Sequence, residues 1–203
     1  MESRIRPDGH DWLLVCDLDE FVYTPRPGDT IKGFLSGLTP DVGDIWIKWM
    51  MFGSAGHKEQ PAEGVIAGFR WRARAPVLHA YADSWKSIVR IAAVDVLNAH
   101  IHRMDPSFVT IHFDAENEYA VAAAPLRLNH YAIQSFDRFC RVKMVRGDVY
   151  RPENDAIRDH GYFERYDFND VLDDGLHNKS ASLSALKDVG IVRQVVVGDH
   201  DAK

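Results

Sequence analysis

Apolar and polar positions change their spacing about two thirds of the way along this chain. Residues 12–16 form a continuous apolar run, read as a buried strand that stops at Asp17. Thr30 to Leu38 has the caps and spacing of a short helix closed near Gly37 or by Pro40. The β-branched and aromatic content of Asp44 to Phe52 predicts a strand. Strands are also expected over Val65 to Trp71, Lys86 to Ile91, 108–113 and 126–129, with loops at Pro25-Arg-Pro-Gly-Asp and Gly53-Ser-Ala-Gly-His57. Beyond residue 130 the period becomes helical. Ile133, Phe136, Phe139, Cys140 and Lys143 lie at helical spacing, with Gly147 as terminator. Further helical patches cover Asp159 to Tyr166 and Ser182 to Lys187, the latter stopped by Gly190 before the β-rich Ile191 to Val197. The pattern predicts a mixed α/β domain with its helices weighted toward the second half.

Composition narrows the class. At 203 residues and 46% hydrophobic content the chain can bury one core. A net charge of -6 argues against nonspecific nucleic-acid binding. Cys16 and Cys140 are far apart in apolar contexts and read as small buried hydrophobes in a reducing compartment. No apolar run is long enough to span a membrane, and the first ten residues have no signal-peptide core. A soluble, cytoplasmic protein is the expectation.

The chemistry concentrates at Asp17-Leu-Asp19. Two carboxylates at i and i+2 of an extended strand point to one side. Such a pair repels unless a cation or a shared proton lies between them. Oxygen ligation of this kind suits Mg²⁺ or Mn²⁺ that also binds phosphate. His130, after the apolar strand 126–129, would complete a metal shell if it faced the aspartates. His100 and His102 also share a strand face, but no third zinc ligand follows with suitable spacing. Gly53, Ser54, Gly56 and His57 form a glycine-rich turn through which a ligand could approach the backbone, although it lacks the Gly-Lys-Ser/Thr of a P-loop. Lys86, Arg90, Lys143 and Arg146 supply cations suited to a diphosphate.

These blocks in their order carry a resemblance: Trp12 to Phe21 with Asp17-Leu-Asp19-Glu20, Phe52 to His57, Lys86 to Arg90, His100-Ile-His102, Leu128 to Ser135, Lys143 to Asp148 and Tyr166 to Asn169. Over residues 10 to 174 the chain resembles the glycosyltransferase family 2-like/family 92 group, which has a GT-A fold. The resemblance implies metal-dependent, inverting transfer of a sugar from a nucleotide-sugar donor to a carbohydrate or other acceptor hydroxyl. It implies Asp17, Asp19 and His130 as ligands of Mn²⁺ or Mg²⁺, with Glu63 nominated as the base. It further divides the chain into a C-terminal portion of the GT-A domain at 1–178 and an extension at 179–203. Ala67-Gly68-Phe69 departs from the Glu-Arg-Phe of the relatives and removes an acid and a base. The nucleotide-binding half that opens a GT-A domain is also missing, so a fragment, a mis-started frame or a degenerate protein is expected. Strand 12–16 then has an uncovered edge open to self-association.

Two other readings compete. An inactive or partial binding module would show no metal-dependent nucleotide affinity. A haloacid-dehalogenase-like phosphatase would use Asp17 as nucleophile and Asp173-Asp174 as its distal acidic pair, but Phe21 stands where that group has Thr or Val.

Overall fold

A computed structural model of the protein describes residues 9–74, 85–97, 102–113, 116–146 and 158–188, the last six of them (183–188) without their side chains. Expectations for His100, Gly147, Asp148, Gly190 and Ile191 to Val197 lie outside those residues.

A six-stranded mixed sheet organises the fold. Its longest strand, β3 (Val42–Met51), pairs antiparallel with β5 (Trp85–Arg90) and parallel with β8 (Val109–Phe113) along its first half. Its last three residues pair parallel with β9 (Arg127–His130). The outer strands are β1 (Trp12–Leu14) on β5 and β2 (Glu20–Tyr23) on β9, both antiparallel. The pattern of β-branched residues explains the centre: Ile45, Ile47 and Ile88 share one face and are almost fully buried with Leu126 and Leu128. Each such side chain contributes about 1.5–3 kcal/mol by leaving water.

Helix α1 (Ile31–Ser36) covers that face. Thr30 caps it by accepting from the Gly33 N–H at 2.9 Å, and Ile31, Phe34, Leu35 and Leu38 pack toward the sheet. Behind the other end of the sheet, Tyr23, Met50, Phe52, Phe69 and Tyr131 form a second core with α2 (Val65–Gly68) and α7 (Gly175–Asp188). Small pairs complete the β structure: β4 (Trp71–Arg72) with β10 (Val171–Leu172), and β6 (Val94–Val96) with β7 (Arg103–Met104). The remaining helices are α3 (Glu118–Ala123), α4 (Phe136–Arg138), α5 (Met144–Arg146) and α6 (His160–Tyr166). A π-helical turn at Phe139–Lys143 joins α4 to α5.

Mixed α/β structure with most helices in the second half is what the periodicity predicted. Two local expectations fail. Val65 to Trp71 is not a strand: Gly64 sits at φ 86°, and α2 follows before β4 begins. Gly68 lets that turn close, because a Cβ there would lie 2.2 Å from Pro61 Cγ. The strand expected over 12–16 stops at Leu14, so Asp17 and Asp19 are not on a strand. They belong to a tight turn closed by the Glu20 N–H on the Asp17 carbonyl at 3.1 Å, and strand alternation does not align them. β1 occupies one end of the sheet order, with no strand on its far side among the described residues.

Candidate functional site

The turn from Asp17 to Glu20 is clamped at both ends. The Glu20 carboxylate accepts from the Asp17 N–H at 3.1 Å, and the Asp19 carbonyl accepts from the Tyr131 N–H at 2.8 Å. Leu18 at the apex is almost wholly exposed, so the two aspartates flank an open tip. Lys86, fully buried on β5, reaches Asp17 at 3.0 Å and Glu20 at 3.4 Å. Asp19 pairs with the Lys143 ammonium from the end of the π turn. His130, opposite Glu20 across β2 and β9, brings Nε2 to 3.8 Å from Asp19 Oδ1. Three carboxylates therefore meet two ammonium groups and an imidazole.

Burial sets the charge states. It pushes His130 down to about 4, so the ring is neutral at neutral pH and can act as a ligand. Burial would raise Asp19, but His130 and Lys143 facing it hold the carboxyl below its ordinary value. Because His130 is uncharged near pH 7, Lys143 supplies the offset there. Burial raises Glu20 above the usual carboxylate range, against the pull of the Asp17 amide and Lys86. Its Oε1 has no hydrogen-bond partner, and neither does His130 Nδ1. The His130 ring is held instead against Trp49, with centroids 4.3 Å apart.

The donor set fits a hard divalent ion in part. Two ligands of one octahedral ion with bonds of about 2.0–2.2 Å lie about 3–4 Å apart, which accommodates the Asp19 to His130 spacing. Asp17 is directed at Lys86, and among the described residues no group of three acidic, histidine or cysteine side chains forms a ready cage. Asp19 and His130 could thus hold an ion whose remaining positions are filled by water and phosphate oxygens.

No family model matches this chain, and no curated protein matches it.

The other predicted residues separate into two groups. The Gly53 to His57 loop adjoins the cluster, since the Phe52 N–H donates to the His130 carbonyl at 3.0 Å. Its amides are already engaged: the Ser54 N–H donates to Asp167 Oδ1 at 2.6 Å and the Ala55 N–H to Asn169 Oδ1 at 2.8 Å. Gly53 is needed because a Cβ would lie 2.1 Å from the Phe168 carbonyl oxygen. Gly56, at φ 75°, donates its N–H to Ser54 Oγ, and His57 Nε2 contacts the Gly68 carbonyl at 3.1 Å. The His57 carbonyl accepts from the Phe136 N–H, so this loop anchors the helix that delivers Lys143.

Arg90 and Glu63 are elsewhere. Arg90 is four residues from Lys86, about 13 Å along an extended strand. Its guanidinium stacks on Trp12 and donates to the Val42 carbonyl at 2.9 Å. Glu63 is exposed and lines a cleft of about 360 Å³ with Phe21, Val65, Ile66, Ala67 and His177. Phe21 directly follows Glu20 on β2, so their side chains leave opposite faces of the sheet, the cleft on one and the cluster on the other. Glu20 is the site residue that sequence reasoning left without a role. Its signal was an acid at the entry of the apolar run Phe21-Val22-Tyr23. Asp173 is taken by Arg72 at 2.6 Å and by Arg127, and Asp174 pairs with Arg70 at 3.1 Å, so both proposed distal acids are committed to arginines.

Proposed function

We propose that this chain binds the diphosphate of a nucleotide-sugar donor through a divalent ion, as part of a GT-A-type glycosyltransferase site. The supporting observation is the mixed cluster itself: Asp17, Asp19 and Glu20 against Lys86 and Lys143, with a neutral His130 at 3.8 Å from Asp19. With the carboxylates and ammonium groups charged and His130 neutral, that set carries a formal charge of −1, and a divalent cation turns it to +1, which then attracts a diphosphate. When bound, Mn²⁺ or Mg²⁺ supplies charge stabilisation to the departing diphosphate. Asp19 and His130 would hold the ion, with Asp17 nearby to neutralise it. Lys143 would turn from the Asp19 carboxylate to phosphate oxygens, while Lys86 stays with the buried Glu20. In the transfer the acceptor oxygen would bond to the anomeric carbon as the diphosphate leaves, and a base would take the hydroxyl proton.

The test is a calorimetric titration of the chain with UDP, with and without Mn²⁺, beside Asp19→Ala. Binding that needs Mn²⁺ and disappears in Asp19→Ala is the expected result. Absence of binding in a folded sample, or equal binding in the variant, would rule the reading out for this chain.

A further inference from the structure

Cys140 and His160 stand outside that cluster and form a site of their own. Cys140 is in the π turn and His160 begins α6, and Sγ and Nε2 are 3.7 Å apart, within reach of an S–H···N hydrogen bond. The imidazole is fixed on another flank by Phe136, with ring centroids 5.5 Å apart, and Phe136 in turn packs edge-on against Phe163 at 5.2 Å. Cys140 is half-buried and His160 exposed, so a small reagent can approach from the histidine side. A nucleophile beside a base whose ring is held in place is the arrangement that activates thiols.

We propose that Cys140 and His160 are a nucleophilic pair that reacts with small disulfides, leaving Cys140 as a mixed disulfide. His160 Nε2, in the tautomer with hydrogen on Nδ1, accepts the thiol proton. Cys140 Sγ attacks one sulfur of the reagent, forming one S–S bond as the old one breaks, and the departing thiolate takes the proton back. The reagent is the oxidant, so Cys140 is oxidised and one equivalent of small thiol is released reduced. The adduct would wedge between the π turn and α6, three residues before Lys143, and so bear on the Lys143 contact with Asp19. This chemistry does not depend on the proposed transferase activity.

Cys16 is an internal control. As a residue it is exposed, but its thiol turns onto Glu20. A carboxylate 3.6 Å from the sulfur disfavours a thiolate there. Since the thiolate attacks, the more exposed cysteine is the inert one.

The experiment incubates the full chain with glutathione disulfide at neutral pH and follows each cysteine by peptide mass mapping. Cys140 should form its adduct at least about tenfold faster than Cys16. Both His160→Ala and His160→Gln should slow Cys140 by about tenfold or more while Cys16 stays slow. Added imidazole should restore much of the rate in His160→Ala, which a purely structural histidine would not allow. Unchanged Cys140 kinetics in both variants, slowing without imidazole rescue, or a Cys16 that reacts as fast as Cys140 would overturn the proposal.

Discussion

Lys86 shows how a single side chain ties the cluster to the core. It shares a strand face with Ile88, lies opposite Ile47, and its ammonium meets Asp17 and the buried Glu20. Removing the cation alone strands Glu20 in a dry site, so Lys86→Met should cost about 3–5 kcal/mol in urea unfolding. Adding Glu20→Gln to Lys86→Met should recover part of that loss. Strictly additive effects of the two changes would show that they do not interact. Asp173 is the corresponding residue in the structural half. Burial would raise its carboxyl, but Arg127 and Arg72 hold it below the ordinary value. The unfolded chain therefore takes up this proton at higher pH than the folded one. The stabilisation is complete above about pH 4 and is lost as pH falls from there through the depressed folded value. Asp173→Asn should destabilise the protein by about 3–5 kcal/mol at pH 7, with the difference from the parent shrinking in acid. An equal difference at pH 7 and pH 3, measured by thermal unfolding, would refute that account.

At the scale of elements, the glycine loop contributes geometry more than chemistry. Gly53→Ala must push the backbone at Phe168 away, so it should lower stability by about 1–3 kcal/mol and loosen the segment carrying Asp167 and Asn169. Hydrogen exchange at the Ser54 and Ala55 amides would reveal it; unchanged protection there would contradict the packing role. The apolar runs of β3, β5 and β9 and the caps of α1 were legible because burial and capping act over neighbouring residues. Asp17, Asp19, His130, Lys86 and Lys143 do come together, a set that the ordered blocks of the family resemblance suggested along with Arg90, which lies apart. The turn that aims the aspartates was not legible, because it depends on Glu20 bonding back to the Asp17 amide. The π turn was equally hidden, since its apolar spacing mimics an ordinary helix while Met144 N–H bonds back to Phe139. Arg90 misled because its charge suggested an anion, whereas its guanidinium stacks on Trp12 and serves backbone carbonyls. Sequence spacing does not record which end of a strand faces a ligand.

Over the whole molecule, β1 is short and sits at one margin of the sheet. Among the described residues no strand pairs with its outer edge, which supports a proposal of association between copies of the chain. Sedimentation velocity should then show a concentration-dependent dimer that Leu13→Lys weakens, whereas a monomer at every concentration would refute it. The same molecule is stitched together across long stretches of sequence: Lys86 to Asp17, Lys143 to Asp19, and the Ser54 amide to Asp167, 113 residues away. Contacts so distant along the chain close late, because each must overcome the entropy of the loop between its ends. During synthesis the Asp17 turn and the glycine loop emerge long before Asp167 and Asn169 exist to cap them. Until then the Ser54 and Ala55 amides can only be solvated by water or captured by another acceptor. A ribosome paused before residue 167 would hold the cluster's residues without the clasp that orders them, so the proposed nucleotide affinity should arise only once that later segment has docked.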